Sequence, residues 1–276
     1  MVISAAPLVS IVTPVYNGSE YLEQLIQSVR NQDYPNIEHI IIDDGSQDHG
    51  ATVAVLRRFP HLRWWSQSQK GQYATMNEGL LAAGGELVCF VSADDVVTPG
   101  AVSSVMEFWS RHADSDGVFG LTGRIDGQGK MLPYYIPFQT ASLTYYPYFA
   151  HISHCSLYVK KESLTRYNLL FDPSLRYVGD YEWMMRLNRA RLKIDLLPRE
   201  LSKVRLHADQ TSRRYTSDSR LETQKVMQQY RINKLSFGFF NTIYWLLFRT
   251  WYFAQVLKKG EMGMVVKRRI SKYRNN

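Results

Sequence analysis

The chain has 276 residues, 45% of them hydrophobic and 21% charged, the balance of an ordinary globular protein with one large domain or two small ones. The formal charge of +8 is concentrated at one end, where Lys258, Lys259, Lys267, Arg268, Arg269, Lys272 and Arg274 face only Glu261, and the body before it is close to neutral. That distribution argues against a nucleic-acid groove across the fold and for a basic tail that meets an acidic surface. The two cysteines, Cys89 and Cys155, have no metal or redox spacing. Their sparseness fits a reducing compartment, and Cys89, inside an apolar run, reads as a core residue.

The elements alternate along the first hundred residues. "MVISAAPLVSIVTPVYN" has no basic region ahead of its apolar run and reads as a first strand rather than a signal peptide. "EYLEQLIQSVRNQ" places Leu22, Leu25, Ile26 and Val29 at helical spacing. "IEHIIID" is a second strand, "DHGATVAVLRRF" a second helix and "LRWWSQ" a third strand. "YATMNEGLLAAGG" is a helix stopped by Gly84 and Gly85, and "ELVCFVSADD" is a fourth strand. "TPGAVSSVMEFWSRH" opens a helix, with Thr98 expected as N-cap and Pro99 at the first helical position. Beyond residue 115, "GLTGRIDGQGKMLPYYIPFQTASLTYYPYF" reads as a hairpin and a long aromatic loop, which either stacks on a flat ligand or packs on the core. "ISHCSLYVKK" is a strand, "YVGDYEWMMRLNRAR" a helix, and "KIDLLPRELSKVRLH" one or two further strands.

Strict strand–helix alternation predicts an α/β fold, a mostly parallel sheet with right-handed crossovers. Near-continuous apolar strands such as "LVCFV" predict a sheet covered on both faces. Ligands then sit beyond the carboxyl ends of the strands. Polar residues fall there four times: Tyr16 and Asn17, Asp43 and Asp44, Gln67 to Lys70, and Asp94 and Asp95. The adjacent carboxylates of "VSADDVV" repel each other, so a positive group is expected beside them. Their bland alternative is an acid cluster at a helix N-terminus.

Taken together, "VSIVTPVYNGSEYLEQLIQSVRNQDYPNIEHIIIDDGSQD", "KGQYATMNEGLLAAGGELVCFVSADDVVTPGAV", "GDYEWMMRL" and "RLHADQTS" resemble, in order, the segments of the family 2 inverting glycosyltransferases of the bacterial polysaccharide type. The resemblance covers roughly residues 8 to 215. It implies the GT-A fold, a Rossmann-like and mostly parallel sheet flanked by helices, with a helical C-terminal extension. The implied division is a catalytic domain 1–215, whose nucleotide-sugar half is 1–115 and acceptor half 116–215, followed by an aromatic and basic extension 216–276. The implied reaction transfers a sugar (hexosyl or N-acetylhexosaminyl) from a nucleotide diphosphate sugar, of the UDP type, to a glycan or lipid-linked acceptor.

The resemblance also assigns residues. Asp95 would ligate Mg2+ or Mn2+, which suits carboxylate oxygen and phosphate, and Asp94 would contact the ribose or orient the metal. The chain has "ADD" where many relatives have D-x-D. Asp44 would accept from the uracil N–H, with Pro14 and Tyr16 framing the base; its alternative is a turn with helix capping. Lys70 would reach the diphosphate and Asn77 would line the nucleotide pocket. Asp180 would be the catalytic base, its alternative a plain N-cap, while Glu182 should face elsewhere. Where many relatives have an acid before the base, this chain has Gly179. His207 would approach the metal or phosphates, and His151 and His154 the acceptor cleft.

Residues 237–257, "FGFFNTIYWLLFRTWYFAQVL", are interrupted by Asn241, Arg249 and Gln255, which disfavours a spanning helix. An amphipathic helix in the membrane interface, followed by the basic cluster on anionic headgroups, is the favoured reading. Its rival is a helix packed on the core or on a second copy of the chain. The expectation is therefore a cytoplasmic enzyme, peripheral at the inner face of the plasma membrane. Two rivals fit less well. A nucleotidyltransferase would want a glycine-rich basic loop after the first strand, and a non-catalytic nucleotide-sugar-binding relative would not need every catalytic carboxylate.

Overall fold

The structure, a computed structural model, describes residues 6–132, 152–208, 210, 216–233 and six positions between 238 and 250. The aromatic stretch 133–151, with His151, and most of the 237–276 tail lie outside the described residues. The chain divides into two units, Met1–Ile232 and Asn233–Asn276. The first contains every element named below.

Strands β1 (Val9–Val15), β2 (Ile37–Asp43), β3 (Arg63–Ser66) and β4 (Leu87–Phe90) alternate with helices α1 (Leu22–Arg30), α2 (Ala51–Arg57) and α3 (Gln72–Ala82). Then follow β5 (Val96–Val97), α4 (Ala101–Arg111), β6 (Gly117–Asp126), a 3-10 turn (His154–Ser156), β7 (Leu157–Lys160), α5 (Lys161–Arg166), α6 (Gly179–Arg189), β8 (Ile194–Leu206) and α7 (Thr216–Gln229). They form one eight-stranded sheet of order β3-β2-β1-β4-β7-β6-β8-β5. Strands β1 to β4 pair in parallel, as the alternation requires. The strand direction changes at β7, which runs antiparallel to both β4 and β6.

Helix α1 buries Leu22, Leu25, Ile26 and Val29, the four positions its periodicity marks. These residues pack in two clusters, one with Val9, Ile11 and α4 and the other with Val15, Ile41 and α2. The result is the covered sheet expected of an α/β fold.

The cap of α4 differs from the expectation. The helix starts at Ala101 behind Gly100, whose φ of 70° suits glycine. Thr98 donates its hydroxyl to the Glu200 carbonyl at 2.6 Å instead, because β8 brings that acceptor within reach. "ISHCSLYVKK" is also not strand throughout: its first part tightens into the 3-10 turn before β7.

Candidate active site

Asp94 and Asp95 leave the carboxyl end of β4, and the end of β8 closes over them. The cation beside them is Arg205, which is fully buried and whose guanidinium holds the Asp94 main chain rather than either carboxylate. A buried guanidinium is tolerated only when its donors are met. Arg205 donates Nε to the Asp94 carbonyl at 2.8 Å, Nη1 to the carbonyls of Asp126 and Gly127, and Nη2 to Gln24 Oε1 at 2.6 Å. Its main-chain N–H reaches Asp95 Oδ1 at 3.0 Å, and its guanidinium lies 4.5 Å from the centre of the Tyr21 ring. Two residues on, on the same side of the chain, His207 Nε2 stands 3.0 Å from Asp94 Oδ2.

The two aspartates therefore differ. Asp94 is a quarter exposed and faces His207. Asp95 is buried, and its second oxygen accepts from the Cys155 thiol at 2.8 Å. Burial, then Cys155 and Asp94, push the Asp95 carboxyl well above the usual carboxylate range. An oxygen and a nitrogen converging at an open edge fit a hard divalent cation that takes further ligands from a diphosphate. The accessible pair is Asp94 and His207, whereas Asp95, expected as the ligand, has both oxygens engaged. Among the described residues, no three His, Cys, Asp or Glu side chains stand together as a metal group.

Asp180 is the second residue of α6, behind Val178 as N-cap and Gly179. Its Oδ1 accepts from the Tyr181 N–H at 2.9 Å and faces the Tyr73 hydroxyl at 3.4 Å. Its Oδ2 stands 3.4 Å from His154 Nδ1. Burial alone would raise this carboxyl; the bond and charge of His154 outweigh it and hold the group below its ordinary range. Glu182 faces away, as expected, and pairs with Arg186 and the Tyr230 hydroxyl.

The far side of His154 leads back to the other aspartates. Its Nε2 lies 3.3 Å from both Cys155 Sγ and Ser92 Oγ. Burial pushes the thiol up, but His154 and the bond to Asp95 bring it down to about 7. Asp180, His154, Cys155 and Asp95 thus form one contiguous polar chain.

Asp44 lies at the end of β2, also buried. Its Oδ1 accepts from the Lys70 N–H, Thr75 Oγ1 and Gln67 Nε2, and its Oδ2 from the Gly71 N–H at 2.8 Å. It pins the loop between β3 and α3, and through Thr75 that helix; Oδ2 retains one lone pair. Tyr16 is exposed beside it at the end of β1, whereas Pro14 lies within the strand opposite Ile42. The Lys70 ammonium pairs with Glu78 at 2.5 Å. Asn77 engages both ends of its amide with the main chain of Phe171, which ties α3 to the approach to α6.

Sequence reasoning did not single out Arg205, Cys155, Tyr73 or Glu222. The Glu222 carboxylate, on α7, accepts the N–H groups of Arg176, Tyr177 and Val178 at 2.8, 2.7 and 2.9 Å, and so fixes the entry to α6. A cleft of about 300 Å3 lined by Glu86, Trp109, Lys160 and Lys161 lies at the opposite end of β4 and takes no part in this arrangement.

The Glycosyl transferase family 2 profile matches residues 10–167, more than half of the chain, and the chain belongs to that family. A Rickettsia prowazekii protein named as an uncharacterized glycosyltransferase is 30% identical over 75% of this chain and 66% of its own. A Rickettsia felis protein of the same description is 28% identical over 76% of this chain but 36% of its own. The chain spans about a third of the length of the first curated relatives it matches. Among solved structures, S. aureus TarS 1-349 in complex with UDP-GlcNAc superposes with a TM-score of 0.65 at 19% identity, over 82% of this chain and 67% of that one. That likeness identifies the fold as GT-A.

Proposed function

We propose that the chain transfers one sugar, with inversion, from a UDP-sugar to a hydroxyl of a glycan or lipid-linked acceptor in the synthesis of a cell-surface polysaccharide. The observation that carries this reading is Asp180. It is a partly exposed carboxylate, kept ionised by His154 and joined through His154 and Cys155 to the aspartates after β4. A group of that kind takes the proton of an attacking hydroxyl. Attack from the side opposite the diphosphate is a single displacement and inverts the anomeric centre.

Asp94 and His207 would hold Mg2+ or Mn2+, which when bound supplies neutralisation of the charge that grows on the departing diphosphate. Arg205 grips the main chain of Asp94 and adds fixed positive charge behind it. At the other end of the donor, Tyr16 would offer its exposed ring to the base and Asp44 its remaining lone pair to the uracil N–H, while Lys70 would exchange Glu78 for phosphate. The complexes of TarS with UDP and UDP-GlcNAc support a uridine donor. The donor half would be residues 1–115 and the acceptor half would follow.

Residues 237–276 would attach the enzyme to the cytoplasmic face of the membrane. Among the described residues, no helix is long and apolar enough to cross it. Equal flotation on anionic liposomes of the full chain and a version ending at residue 235 would remove that attachment.

The deciding experiment is Asp180→Asn. UDP release from a panel of UDP-sugars should fall by a factor of about 1,000 or more, as for loss of a general base with no substitute, while UDP still binds by calorimetry. Near-normal turnover would remove Asp180 from the role.

A further inference from the structure

We propose that His154 is a positioning residue for the transfer: its ring, wedged between Asp180 and the Cys155 thiol, sets the plane of the base and couples it to the aspartates at the diphosphate end. This rests on the reading of Asp180 as the base. A carboxylate near the start of a helix can rotate about its side-chain bonds, and one hydrogen bond does not fix its plane. Asp180 Oδ1 alone takes the Tyr181 N–H of its own helix and, at 3.4 Å, the Tyr73 hydroxyl. Oδ2 faces His154 Nδ1 at 3.4 Å, and that second point determines which lone pair faces an incoming hydroxyl.

The ring is itself well anchored. It is largely buried, and Nε2 lies 3.3 Å from both Ser92 Oγ and Cys155 Sγ. The 3-10 turn that carries it is fastened by the Ser156 hydroxyl, at 2.8 Å from Thr122 Oγ1 and 2.6 Å from Ser202 Oγ. The Cys155 thiol continues the line to Asp95 Oδ2 at 2.8 Å. Ser92 lies two residues ahead of Asp94, so the same ring touches the segment that presents both aspartates. A displacement at the diphosphate end thereby reaches the base through one side chain and a thiol.

The two ring nitrogens can be tested separately. An asparagine amide falls near the place of Nδ1, and a glutamine amide reaches that of Nε2. His154→Asn should therefore keep the contact with Asp180, and His154→Gln should lose it while filling the space beside Cys155. The assay is UDP release by the full chain with water as acceptor, using the UDP-sugar of the panel that wild type turns over fastest, with thermal unfolding run in parallel.

The expected result is a kcat within about threefold of wild type for Asn and about tenfold or more lower for Gln, with the donor KM held within about twofold in both. Wild-type kcat in both variants, with Asp180→Asn inactive, would overturn the role of His154 and leave the base intact. Equal losses in both, in step with a lowered unfolding temperature, would overturn it by making the ring a packing residue. Near-normal turnover in Asp180→Asn would instead sink the base assignment and this inference with it.

Discussion

Gly179 lies flat against the ring of Tyr73: a Cβ at that position would sit 2.6 Å from two of its ring carbons. Close approach of the backbone to an aromatic face explains why this chain has no side chain at the position before its candidate base. Tyr73 is buried against Phe171, so its ring has no free space to yield. Gly179→Ala should destabilise the fold by about 1–3 kcal/mol, the usual cost of overpacking, and Gly179→Glu should cost more. Combining Gly179→Ala with Tyr73→Leu should recover part of that loss. Urea unfolding of the three proteins checks it; a single Ala variant as stable as wild type would contradict the packing.

Glu222 gathers three main-chain N–H groups immediately ahead of α6. Glu222→Ala leaves these donors without their carboxylate, at a cost of about 2 kcal/mol, and frees the segment that presents Asp180. UDP release should fall about tenfold, while UDP binding, which we propose uses residues 1–115, should stay within about twofold. Hydrogen exchange should speed up at residues 176–178. A version ending at residue 215 should behave the same way, because it removes the same carboxylate. Unchanged exchange and turnover in both would dismiss the tie.

His39 gives a pH dependence. It is buried in β2 with Nε2 on Thr13 Oγ1 at 3.1 Å and Nδ1 without a partner. Burial, with a smaller contribution from His61, pushes its pKa down from 6.5 to about 3. Between those values the unfolded chain takes up a proton that the folded chain refuses. Stability is therefore fully present above pH 6.5 and falls as pH drops toward 3, by up to about 1.4 kcal/mol per unit. His39→Gln should flatten that slope in urea unfolding between pH 7 and 4. Parallel slopes for the two proteins would refute the assignment.

The parts legible in the sequence are those set by local pattern. Helix α1 announces itself because burial selects side chains at helical spacing, and β1, β2 and β4 because strands covered on both faces read as short continuous apolar runs; the aspartates of "DDGS", "ADDV" and "GDYE" stand where strands or helices must begin or end. What could not be read depends on partners far away in the chain. Arg205 looks like an ordinary strand-end cation until Gln24, 181 positions earlier, is seen to accept from it. Glu222 lies on a helix of weak amphipathic character and resembles a solvated acid. Thr98 has the right residue type for a cap, but the Glu200 carbonyl, 102 positions later, competes successfully for its hydroxyl. The contact of Asp95 with the Cys155 thiol was illegible for the same reason, since only the fold brings Cys155 against it.

Arg205 also bears on synthesis of the chain. The guanidinium that holds the Asp94 main chain and closes onto Gln24 belongs to the last strand among the described residues. A nascent polypeptide that has already laid down β1 to β4 thus holds the Asp94 segment without the side chain that anchors it. That segment takes its final place only once β8 emerges from the ribosome and inserts, so products truncated before β8 should carry Asp94 on a loose strand end.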